Sequence, residues 1–248
     1  MKKILFALTV IFSAVLLNAQ NAGTITYTET MKLQLNFEGN MPPPPGLPTE
    51  HVNHTILYFN DAASLYTNDE SKNEGDINID EISEDGGRMI LRMDAPQNEV
   101  YCDLKNKTVT RFEDFMQRKF LVEGDMKTLN WKFTGNQKMI LNYPCMEAVL
   151  QDSTEKVVIW FSSALPVSVG PLRYYGLPGV VLEVNINDGQ EIITANEINK
   201  KVDASKIKKP KDGKKVTQEE FQKIVDEKMK EMGVEGDGHQ IMIRIEED

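Results

Sequence analysis

The sequence predicts a mainly β, α+β domain: a strongly curved antiparallel sheet or half-open barrel with one C-terminal helix packed on it. Three observations carry this prediction. Thr24, Thr26, Thr28 and Thr30 alternate with Ile25 and Tyr27, and Leu33 and Leu35 keep the period of two, so 23–37 reads as a long first strand. Many short runs follow, separated by turn-rich or charged pieces, as in an all-β architecture. Only one stretch, near the C-terminus, has the spacing and capping of a strong helix. A closed up-and-down barrel is the alternative architecture.

Composition frames these elements. A chain of 248 residues with 40% hydrophobic and 27% charged residues can bury a real core, and it is neither collagenous, low-complexity nor wholly disordered. Lys and Arg total 28 against 38 Asp and Glu, a net charge of −10, which argues against a grip on a phosphate backbone. No nucleic-acid partner is expected.

Residues 1–19 read as a secretory signal peptide: Lys2 and Lys3, the apolar run Ile4 to Leu17, then Asn18-Ala19-Gln20. That run is short for a membrane span and no later window approaches one, so the expectation is an exported protein that is not integral to the membrane. Its place is the periplasm or the exterior. Residues 20–248 form a single β-rich domain in this reading. Pro42 to Pro45, with Gly46 and Pro48, make a stiff extended connector after the first strand.

Strands are expected at 54–59, 63–67, 88–94, 99–104, 108–112, 117–122 and 130–134. The stretch 68–87, rich in Asp, Glu, Ser and Gly, reads as a mobile acidic loop without calcium-loop spacing. Two hairpins follow: 139–153 with 155–162 around Asp152-Ser153-Thr154, and 180–187 with 191–198 around Asn187-Asp188-Gly189. Val157 to Trp160 and Val180 to Leu182 are apolar on successive residues, which requires cover on both faces. After a basic linker at 206–215, Thr217 and Glu220 form a capping box. Phe221, Ile224, Val225, Lys228, Met229 and Met232 then recur at helical spacing up to Gly233, and Ile241, Ile243 and Ile245 suggest a final strand.

In an oxidising compartment Cys102 and Cys145 are either bridged, closing a loop worth about 4 kcal/mol, or two buried free thiols, with a reactive or metal-binding thiol as the third alternative. The three histidines are His51, His54 and His239, and an extended backbone sends His51 and His54 to opposite faces. His239 with Met242 is the candidate soft pair for copper, weighed against the gap-filling role usual for Met. No metal site and no cofactor is assigned. Neither a Gly-x-Ser-x-Gly elbow nor His-Glu-x-x-His is present, and the chain reads as non-enzymatic.

The most distinctive text spans 131–184. It holds Lys138-Met139-Ile140, Tyr143-Pro144-Cys145-Met146-Glu147-Ala148, Trp160, Leu165-Pro166, Gly170-Pro171 and Gly176-Leu177-Pro178-Gly179-Val180-Val181. This order resembles the GLPGLI family of exported Bacteroidetes proteins, with Val180-Val181 where the family name has Leu-Ile. The resemblance implies an exported class without an assigned reaction. In the tract itself, Pro178 and Gly179 suit the second and third positions of a type II turn. Trp160, Tyr174 and Tyr175 offer large rings, and with Gly176, Leu177, Pro178 and Gly179 they are the expected mouth of an apolar ligand cavity. The layout is similar to the periplasmic lipoprotein-carrier fold. The leading expectation is therefore an envelope protein that binds a lipid or other apolar ligand, or docks an outer-membrane protein. A periplasmic copper-binding protein and a structural or interaction protein are the alternatives.

Overall fold

The structure, a computed structural model, describes residues 21–33, 48–72, 77–82, 88–93, 97–151, 153–231 and 245–246. The signal-peptide segment, the tetraproline, Asp152, His239 and Met242 lie outside the described residues. The strands are β1 (Gly23–Lys32), β2 (Glu50–Phe59), β3 (Ala63–Asn68), β4 (Ile77–Ile82), β5 (Arg88–Met93), β6 (Glu99–Asp103), β7 (Thr108–Phe115) and β8 (Arg118–Asp125). They continue with β9 (Trp131–Ile140), β10 (Tyr143–Leu150), β11 (Val157–Ser162), β12 (Val180–Ile186), β13 (Glu191–Asn199), β14 (Lys214–Val216) and β15 (Ile245–Glu246). The single described α-helix is α1 (Gln218–Glu231).

Twelve strands form one mixed sheet in the order β14-β8-β7-β6-β3-β2-β1-β13-β12-β11-β10-β9. β1 joins its two arms, pairing with β2 through Glu29↔Asn53 and with β13 through Glu29↔Ile193. The sheet is not a closed barrel. Consecutive strands pair around almost the whole order, but β8 and β9 do not pair; β8 instead takes β14 in parallel at its edge, and β9 is the other edge. The closed-barrel alternative fails at this one junction, because the β8 edge that closure would need is already occupied.

Alternation explains the core. Gly23, Ile25, Tyr27 and Glu29 point inward from β1, and Leu57 and Phe59 do so from β2. The cover on this face is the 163–179 segment, which buries Leu165, Val167, Val169, Tyr174, Tyr175 and Leu177. Tyr27 donates its hydroxyl to the Val181 carbonyl at 2.8 Å, and Tyr175 reaches the backbone of Lys127 beside Cys102.

The capping box forms as the sequence predicts: Glu220 N–H donates to Thr217 Oγ1 at 3.2 Å, and Thr217 N–H to Glu220 Oε2 at 2.8 Å. The helix is not the main cover of the sheet, however. None of its residues is buried, and Phe221 and Ile224 pack only on a small cluster of Phe115, Phe120, Val122 and Val216 at the β8 end.

Three local readings change. Ile77–Ile82, inside the expected acidic loop, is a strand paired with β5, because Ile77 and Ile79 alternate with the polar residues between them. β9 runs on to Ile140 and turns at Leu141-Asn142, both at positive φ (47° and 66°), so Met139 belongs to the strand before the expected hairpin. The 206–215 linker buries Pro210 and ends as β14. Cys102 and Cys145 are free and buried, on β6 and β10, with six strands between them in the sheet order, so the bridge does not form. Among the described residues no helix is long and apolar enough to cross a membrane.

Candidate functional site

The inner face changes character along β1. Glu29 stands in phase with Ile25 and Tyr27 and is only 8% exposed, so a carboxylate occupies a core position. Its partners come from three other stretches of chain. Oε2 accepts from Asn53 Nδ2 at 2.9 Å and from Asn98 Nδ2 at 2.9 Å; Oε1 accepts from the Tyr66 hydroxyl and again from Asn98 at 3.2 Å. Thr55 donates to the Tyr66 hydroxyl at 2.7 Å. Asn68 Oδ1 ties the group together, accepting from the Asn98 backbone N–H at 3.2 Å and from Asn53 Nδ2 at 3.4 Å.

No lysine or arginine takes part in these bonds. Burial pushes the Glu29 carboxyl up, while the hydrogen bonds from Tyr66, Asn53 and Asn98 pull it down without cancelling the rise. Tyr66 is pushed well above the usual phenol range by its burial and by the Glu29 charge. On the same face, burial pushes His51 down. Glu191 is pushed up to about 7 by burial first and then by the charges of Glu29 and Glu155, with Arg173 opposing. The cluster is expensive: Asn53 is buried and, among the described residues, its Oδ1 has no partner, a defect of about 1–3 kcal/mol. Flipping the amide would set that oxygen against the carboxylate instead.

Asn68 and Asn98 also line a cleft of about 610 Å³. Gln97 adds a third carboxamide, Phe112 an aromatic ring, and Glu70 and Glu99 two acids. The far side is the Pro210–Asp212 segment with Lys119, whose Nζ lies 2.7 Å from Asp212 Oδ2. Burial raises Glu99. Such a lining offers paired donors and acceptors beside one flat apolar surface.

The residues singled out from the sequence lie elsewhere, and the fold separates them. Trp160 is half-buried on β11, out of phase with core residues Val157, Ile159 and Phe161. Lys138 Nζ sits 4.4 Å from its ring centroid while bonding both Glu183 oxygens at 2.7 Å. Tyr174, Tyr175 and Leu177 are core residues, whereas Gly176 and Pro178 are exposed. Gly179 N–H bonds the Leu177 carbonyl at 2.8 Å, so the turn is a three-residue one centred on Pro178 rather than type II. Gly179 is required by proximity: a Cβ there would stand 2.2 Å from the Ser162 carbonyl oxygen. None of these seven residues lines the cleft. Glu29, Asn53, Tyr66, Asn98 and Glu191 escaped the sequence reading, and the available signal was phase, since Glu29 and Asn53 stand where alternation calls for apolar side chains.

The family model for the N-terminal domain described as N-glycanase peptide matches residues 53–227. The chain belongs to this family. The match spans the whole 131–184 tract, so the N-glycanase peptide N-terminal domain replaces the GLPGLI resemblance. Physically, that tract is a tight turn and a buried strand, text that packing alone can write. Two solved structures of PNGF-II, in P21 and C2 space groups, are each similar at TM-score 0.54 and 19% identity. They match over 83% and 82% of this chain and 33% and 32% of their own, so the chain spans about a third of their length. At that identity the likeness shows the fold of the N-glycanase N-terminal domain and nothing further. No curated protein matches the chain.

Proposed function

We propose that this chain is an exported, non-catalytic recognition module that binds an oligosaccharide in the 610 Å³ cleft. The observation that carries the reading is the lining. Asn68, Gln97 and Asn98 present carboxamides suited to hydroxyl and acetamido groups, and Phe112 supplies a flat surface for a sugar ring. Membership of a family named for an N-glycanase supports the ligand class. The module is periplasmic or secreted after signal-peptide cleavage. The sheet is not closed between β8 and β9, and the cleft lies beside β8.

An apolar ligand held at Trp160, Tyr174 and Tyr175 has weaker support, because two of those rings are spent on the core and the third is covered by Lys138. The test is calorimetric titration of the mature protein with N,N′-diacetylchitobiose and a mannose-rich oligosaccharide. Saturable binding that falls tenfold or more in Phe112→Ala and Gln97→Ala supports the proposal. Failure of every oligosaccharide to bind, with lipid extracted from the native protein, overturns it in favour of a carrier.

A further inference from the structure

We infer that Glu29 is the positioning residue of the cleft: its carboxylate, enclosed by the sheet, sets the orientation of the two carboxamides that meet the ligand. The inference rests on the cleft reading and deepens it.

The geometry supplies the chain of contacts. Asn98 Nδ2 is bound to both Glu29 oxygens, at 2.9 and 3.2 Å, which commits its amide nitrogen inward and leaves its own oxygen as the group turned from the carboxylate. Asn53 Nδ2 spans Glu29 and Asn68, and the Asn98 backbone N–H holds the same Asn68 oxygen. Asn68 and Asn98 are the members of this network that line the cleft.

Ionisation is the condition for that arrangement. A carboxylate is an acceptor only; once protonated it must donate from one oxygen, and the two Asn98 contacts together with the Tyr66 and Asn53 bonds can no longer all be kept. Oligosaccharide binding therefore weakens as pH falls through the Glu29 titration. The titratable and charged groups around it are Tyr27 on its own strand, His51 on β2, Tyr66 on β3 and Glu191 on β13, the last backed by Glu155 and Arg173. Tyr27 and Tyr66 stay neutral throughout. Burial raises Glu191 and lowers His51, and it raises Glu99 in the cleft lining itself, so variants must separate these groups from Glu29.

Two measurements on the mature protein test the role. Without any ligand, the side-chain amide signals of Asn53 and Asn98 should follow the Glu29 carboxyl carbon in an NMR pH titration. With diacetylchitobiose, wild type should lose affinity at least tenfold as pH falls across that titration, and Glu29→Gln should bind at least tenfold more weakly at neutral pH, its remaining pH dependence reduced to what Glu99, Glu191 and His51 contribute. Tyr66→Phe keeps the ring in place and removes one bond that favours the charged form, so its binding midpoint moves to higher pH. Glu191→Gln should keep the fall in affinity with acid that Glu29→Gln loses. Amide signals indifferent to Glu29, or a Glu29→Gln protein with wild-type affinity and profile, overturn the positioning role while leaving the cleft reading standing. Amide signals that follow Glu29 in a protein that binds no oligosaccharide overturn the cleft reading and this role together, leaving the network structural.

Discussion

Replacing Glu191 with Gln should raise stability at mildly alkaline pH and leave it nearly unchanged in acid. Burial and the neighbouring charges of Glu29 and Glu155 lift the native Glu191 carboxyl from 4.5 to about 7. The unfolded chain releases this proton near its ordinary value, so between the two values the unfolded state is the one that has already ionised. Stability from this group is fully present below about pH 4.5 and is lost as pH rises toward 7. The whole gap is worth about 3 kcal/mol at most. Because Glu191 is only half-buried, about 1–2 kcal/mol is the working figure. Glu29, also raised, adds a loss of the same sign that Glu191→Gln does not remove. Urea unfolding at about pH 5 and pH 8, read by tryptophan fluorescence, measures the effect. Wild type should unfold at lower urea at the higher pH, and Glu191→Gln should recover about 1–2 kcal/mol of that loss. An identical pH dependence in the two proteins would mean that Glu191 does not titrate with folding.

Other predictions test the scaffold. Gly170→Ala places a Cβ 2.1 Å from the Tyr174 carbonyl oxygen and 2.8 Å from Val181 Cβ. It should cost at least about 3 kcal/mol or abolish folding, measured by the same unfolding curves. Gly135→Ala meets no atom within 4 Å but must hold φ at +86°, so its expected cost is about 1 kcal/mol in melting experiments. Thr217→Ala removes one half of the capping box and should cost about 1 kcal/mol, with fraying of α1 visible in amide exchange. Cys102, pushed up to about 11 by burial, and Cys145 should both resist thiol reagents until denaturant is added. An intact mass short by two hydrogens would contradict the free pair.

What the sequence made legible was local. The β1 alternation, the Asn187-Asp188 turn and the Thr217–Glu220 box each act over a few residues, and each appears where its chemistry places it. The turn at Leu141-Asn142 did not, because Leu carries no preference for positive φ and β10 holds it there by pairing. The opening between β8 and β9 depends on β14, a three-residue strand recruited from far along the chain. The site was harder still. Glu29 and Asn53 violate the alternation, and their phase was visible, but Asn98 reaches Glu29 across 69 residues, and only the folded sheet brings them together. Conversely, Tyr174, Tyr175 and Leu177 stood out as text and proved to be core.

Amide chemical-shift mapping during a diacetylchitobiose titration decides whether the cleft takes an oligosaccharide. Saturable shifts should centre on Asn68, Gln97, Asn98, Phe112 and Lys211, which are among the residues that line the cleft. Shifts centred on the Trp160 indole and the Gly176–Gly179 turn, or no shifts at all, would contradict the cleft reading.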